Sequence, residues 1–137
     1  MHVTDRGHRE IEHTADWVLE VWGPDMETLL QQAAHGMYRL MGVKLAIGDR
    51  VEHSLQLDAA DREALLVEFL GELLYLMESE GVAFDELEMR VDDGRVAARL
   101  TGAAIASQRK EIKAVTFHRL LIEDSGRGLR TRVVFDV

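Results

Sequence analysis

The chain has 137 residues, with 16 basic and 25 acidic side chains for a formal charge of −9, and no cysteine. That length suits one domain, residues 1–137, able to bury a core without staples. The missing cysteines exclude disulfides, thiolate zinc sites and cysteine nucleophiles, and the acidic balance argues against a chain that grips a phosphate backbone alone while suiting one that docks on a basic partner.

No apolar stretch is long enough to cross a bilayer, because 64–77 is broken by Glu68, Gly71 and Glu72. The first ten residues carry Asp5, Arg6, Arg9 and Glu10 and lack an apolar core behind a basic start. No signal peptide is therefore expected, and a cytoplasmic location is.

In chain order, residues 17–22 are β-branched, apolar or aromatic except for Glu20 and predict a strand that stops at Gly23-Pro24. Asp25 is placed to cap a helix whose apolar positions are Met26, Leu29, Leu30, Ala33, Ala34, Met37, Leu40 and Met41, with Gly42 closing it. Residues 50–57 alternate, with Val51, His53, Leu55 and Leu57 on one face of a half-buried strand. Asp61 then caps a second helix, with Glu63 in its first turn and an apolar stripe of Leu65, Leu66, Phe69, Leu70, Leu73, Leu74 and Met77 ending at Gly81.

Beyond it, Leu87, Met89 and Val91 alternate with charged residues up to Asp93-Gly94, a two-residue hairpin turn, and Val96, Ala98 and Leu100 mark the return strand. Residues 114–123 read as another strand, and Leu129–Val137 as the last, with Arg130, Arg132, Val134 and Asp136 on its second face. The order of elements predicts an α+β domain of two layers, with two amphipathic helices packed on a sheet of about six strands.

Several residues could carry chemistry. Glu12-His13-Thr14-Ala15-Asp16 precedes the first strand; on the motif alone a capped turn, with Thr14 and Asp16 bonded to nearby backbone, is the simpler reading. Asp136 is a poor strand former near the end of an apolar strand, equally suited to a frayed end or to a functional carboxylate. Two aspartates with a terminal carboxylate would favour calcium or magnesium over zinc. Lys113 is either a surface lysine or a counter-charge, and His118 is more simply a half-buried histidine than a ligand. The six histidines form no HxH or HxxxH pair, and neither GxGxxG, a Walker loop nor GxSxG occurs. The aromatic residues, Phe117 among them, sit in strand or core patterns, and Trp17 and Trp22 have opposite strand parity, so one of them could face a partner.

Four segments together resemble the archease family: Glu-His-Thr-Ala-Asp at 12–16, Leu-Leu-Val-Glu-Phe-Leu-Gly-Glu-Leu-Leu-Tyr-Leu at 65–76, Lys-Ala-Val-Thr-Phe-His at 113–118 and Phe-Asp-Val at 135–137. Trp17 stands where the resemblance implies a smaller aliphatic residue, and 7–11 is more polar than it implies. The resemblance implies a two-helix, non-catalytic protein that assists an RtcB-type RNA ligase in tRNA splicing or RNA repair. It would promote the ligase's guanylylation, which uses GTP and manganese, and so allow repeated turnover; RNA and GTP would be met only through the ligase. It further implies a divalent-cation site formed by Asp16, Asp136 and Val137, with calcium favoured and magnesium or manganese as alternatives, and Lys113 as a basic residue beside it. Other readings predict different behaviour. A metal-dependent phosphoester hydrolase would use His13 or His118 as base with Asp16 and Asp136 as ligands, and a scaffold would leave both aspartates silent.

Overall fold

In the computed structural model, which describes residues 5–11 and 17–137, the chain runs β1 (Gly7–Ile11), β2 (Trp17–Gly23), α1 (Met26–Met41), β3 (Lys44–Leu45), β4 (Val51–Asp58), α2 (Arg62–Glu80), β5 (Val82–Asp92), β6 (Arg95–Ser107), β7 (Ala114–Thr116), β8 (Glu123–Asp124) and β9 (Leu129–Asp136). The predicted helices and their ends hold. Asp25 accepts from the Thr28 N–H and Asp61 from the Ala64 N–H, each at 2.8 Å, while Gly42 and Gly81 take left-handed conformations at the C-termini. The Asp93-Gly94 hairpin also forms, with φ of 47° and 86° at its two residues.

The α+β class holds, but the strands divide into two antiparallel sheets rather than one of about six strands. One has the order β1-β2-β9-β7, with β8 also on β9. The other is built on β6, which β4 and β5 flank while β3 pairs with its far end. Each helix touches both sheets: α1 meets β1, β2, β9 and β5, and α2 meets β7, β4, β5 and β6. This explains the composition of α2. Leu65, Leu66, Phe69, Leu70, Leu73, Leu76 and Met77 are buried, more than one narrow stripe requires, because the helix has neighbours on several sides. Each such side chain contributes about 1.5–3 kcal/mol by leaving water. Leu76 joins the core, and Leu74, assigned to the stripe by spacing, is only half-buried.

Residues 114–123 do not form one strand. Pairing stops at Thr116, a turn follows in which the Leu120 N–H donates to the Phe117 carbonyl (3.0 Å), and Arg119 takes φ 51°. Ile122 is captured by α2 instead: its N–H donates to Glu63 at 2.8 Å and its carbonyl accepts from Arg62 at 3.4 Å. Phe117 is thereby left 58% exposed rather than packed.

Gly102 of β6 marks the tightest packing. A Cβ there would lie 1.8 Å from the carbonyl oxygen of Ala83, on the stretch of β5 just before its register shifts between Phe84 and Glu86. Backbone cannot yield as a side-chain tip can, so Gly102→Ala should cost at least about 1–3 kcal/mol. The check is urea unfolding, where the midpoint should fall with the slope unchanged; an unchanged midpoint would refute this account of the β5–β6 contact.

Candidate functional site

The final strand sorts its residues by parity. Leu129, Thr131, Val133 and Phe135 of β9 are buried, whereas Arg130, Arg132 and Asp136 point to the outer face and are exposed. β2 pairs with β9 so that Trp17 lies opposite Phe135. On the other side of β9, Ala114 is the register partner of Asp136, and yet the Lys113 N–H also donates to the Asp136 carbonyl at 2.8 Å. Lys113 thus bonds to β9 just outside the three residues of β7. That bond fixes Lys113 beside Asp136, and the side chains of Lys113, Asp136 and Val137 are all exposed at this corner of the sheet.

A second lysine reaches the same end. The Lys110 ammonium lies 4.5 Å from the centroid of the Trp17 ring, a cation–π contact. Its segment is anchored by bonds from the Arg109 and Lys110 N–H groups to the carbonyl of Met41, at 2.9 and 3.1 Å. The resemblance implied a smaller residue at 17; here Trp17 packs its body on the core and its face under Lys110.

Of the sequence-predicted residues, Asp136, Val137 and Lys113 come together. His13 and Asp16 lie outside the described residues. His118 does not join them. It follows β7 at the end away from Asp136, it is exposed rather than half-buried, and its N–H donates to Thr116 Oγ1 at 3.3 Å. The described residues at the corner offer oxygen donors only: the Asp136 carboxylate and main-chain oxygens of Asp136 and Val137. That chemistry fits a hard cation such as calcium and not a thiolate or imidazole metal. Among the described residues there is no cluster of three or more histidine and carboxylate side chains suited to a metal.

Sequence reasoning missed Glu20. This carboxylate is 5% exposed on β2, on the same face as Arg132 and Asp136, and it is held by Arg9 of β1 and Arg132 of β9, its register partners on either side. The triad ties three strands together beside the site. A lone glutamate among apolar residues is the only trace it leaves in the sequence.

One further titratable group lies apart, on α1. His35 is half-buried, and its pKa is lowered first by that burial and then by repulsion from His8, with Asp85 pulling the other way. Asp85 is itself held below the usual carboxylate range by the Arg50 guanidinium. Folded His35 thus holds its proton less well than unfolded His35, whose ordinary value is 6.5. Above that value both states are neutral there and the term vanishes; below it the unfolded chain binds more protons and stability falls. His35→Gln should flatten the loss of stability on going from about pH 7 to about pH 5, measured as urea midpoints. An equal decline in wild type and variant would overturn the assignment.

Comparison with known proteins places this geometry among relatives. The model of the archease protein family matches residues 8–137. The chain is 31% identical to the archease of Archaeoglobus fulgidus over 95% of this chain and 98% of that one, and 32% identical to that of Methanosarcina mazei over 93% of each. Among solved structures, it resembles protein 1598 of Methanobacterium thermoautotrophicum at TM-score 0.72 and 27% identity, covering 96% of this chain and 99% of that chain. It also resembles a Thermotoga maritima protein described as an archease and possible chaperone, at TM-score 0.71 and 28% identity, covering 100% and 99%.

Proposed function

The chain belongs to the archease family, and from that premise we propose that it is a non-catalytic accessory protein that activates an RtcB-type RNA ligase, promoting its guanylylation and repeated turnover in tRNA splicing or RNA repair. The observation that carries this reading is the exposed corner where a backbone hydrogen bond pins Lys113 to Asp136. Those two residues belong to the two C-terminal motifs, and they stand in water at the end of a sheet rather than in an enclosed pocket. An exposed corner suits docking on another protein better than enclosing a substrate.

Asp136 and the main-chain oxygen of Val137, with Asp16, are the residues we assign to a divalent cation, calcium by preference. What supports pairing the two aspartates is the register: Trp17 faces Phe135, and Asp16 and Asp136 are the chain neighbours of those residues. A cation held there would lessen the repulsion between carboxylates and add positive charge that phosphate oxygens attract. The chain's own contribution is electrostatic and positional. Its net negative charge steers it to a basic, RNA-handling surface, and Lys113 presents an ammonium at the corner that docks. Phosphoryl transfer depends on such positioning and charge neutralisation. The hydrolase alternative lacks support from His118, which stands at the far end of β7 from Asp136.

The test is multiple-turnover ligation with limiting ligase, GTP and manganese. The wild-type protein should lift product well beyond one ligation per ligase, and Asp136→Ala and Lys113→Ala should not, although both should fold because the side chains are solvated. Stimulation by Asp136→Ala equal to wild type would remove the carboxylate from the mechanism, and no stimulation by wild type would remove the ligase. Binding to the folded state alone must also raise the melting temperature as calcium is added; that rise should be lost in Asp136→Ala, and a flat wild-type titration would count against the cation.

A further inference from the structure

Among the described residues, β7 is the last strand of its sheet, paired with β9 on one side only. An open groove of about 790 Å³ runs along its other side, between residues 111–115 and the exposed flank of α2. Ala114 and Val115 point to opposite faces of the strand, yet both line this groove, so it follows the strand's free edge. The opposite wall is Val67, Gly71, Leu74 and Tyr75, the last of these 60% exposed. At Gly71 the wall is notched: a Cβ there would meet nothing within 4 Å.

An unpaired strand edge facing an apolar wall is the arrangement into which an extended peptide adds as a further strand. Charge selects the kind of peptide. Glu78 and Glu111 line the groove with a single base, Lys113, which sits at the end beside Asp136; Glu68 and Glu72 follow its apolar wall along α2, and α2 carries five glutamates against one base, Arg62, at its start. No basic residue offsets the negative end of the helix in its last turn. We propose that this groove binds an extended peptide of a partner protein, alternating apolar and basic residues, which pairs with the free edge of β7 and sets its basic side chains against the glutamates of α2. The inference stands on the groove alone and does not depend on the cation or on the ligase.

The probe is a synthetic peptide of alternating valine and lysine, titrated against the isotope-labelled full chain by NMR. An alternating valine–glutamate peptide is the control. The valine–lysine peptide should move the amide signals of 111–116 and of the α2 wall and slow hydrogen exchange at β7, and the acidic peptide should do neither. Gly71→Trp fills the notch and improves on glycine as a helix former, so it should fold and weaken binding by about tenfold or more, whereas Gly71→Ala should bind as wild type. No binding, shifts that map elsewhere, unchanged exchange at β7, equal binding of the acidic peptide, or indifference to Gly71→Trp would each overturn the proposal. So would sedimentation showing that the free chain self-associates and that Gly71→Trp makes it monomeric, since the occupant would then be a second copy.

Discussion

The pairing of β2 with β9 holds the first sheet together. Seven consecutive register pairs join Trp17–Gly23 to Leu129–Phe135. Their inner side chains Leu19, Val21, Val133 and Phe135 are almost wholly removed from water. Every other strand of that sheet depends on one of these two, β1 on β2 and both β7 and β8 on β9. Glu20 crosses the seam on the outer face, where the two arginines compensate a carboxylate that would otherwise be costly to bury. Without this seam, Trp17 would not face Phe135 and Lys113 would have no strand end to bond.

Local information in the sequence was enough for both helices. Asp25 and Asp61 cap them, Gly42 and Gly81 close them, and the apolar spacing between is unambiguous. The Asp93-Gly94 turn was equally plain, because its backbone needs residues that tolerate positive φ. The remaining differences come from contacts distant in the chain. β1 carries no strand signal of its own, since its pattern of exposed and half-buried residues makes sense only once β2 lies beside it. β3 has two residues, too few for periodicity to register. The apolar run after Thr116 looks like a strand by composition, but Glu63 and Arg62 draw Ile122 to the helix and Arg119 turns the chain. At the corner, Asp136, Val137 and Lys113 could be named from motifs, and the bond that joins Lys113 to Asp136 could not, because strand pairing is a property of two distant segments. The Lys110–Trp17 contact was invisible for the same reason.

The charge of −9 is unevenly spread. The outer face of the first sheet carries Arg9, Arg130 and Arg132 around Glu20, while α2 carries glutamates along its exposed flank. The outer face of the second sheet mixes both signs, with Glu52, Glu86, Glu88, Asp58 and Asp92 set among Arg95 and Arg99. One close pair there, Arg95 with Asp58 at 3.2 Å, is solvated on both sides and contributes about 0–1 kcal/mol. An acidic protein arranged in this way does not meet a basic partner equally from all sides. The α2 flank is the acidic side, and the outer face of the first sheet is the side that bears the arginines.

The β2–β9 seam also bears on when the molecule becomes itself. The second sheet draws only on residues 44–107, and its central β5–β6 hairpin is joined by a two-residue turn. These are short-range contacts that close quickly. The first sheet must bring together groups such as Glu20 and Arg132, 112 residues apart. A growing chain therefore makes β2 early and keeps it waiting for β9, the last strand to be synthesised. The corner with Lys113 and Asp136 is thus a late product of assembly. A nascent chain can hold a half-built core, but this corner is not complete until residues 113–136 have all emerged.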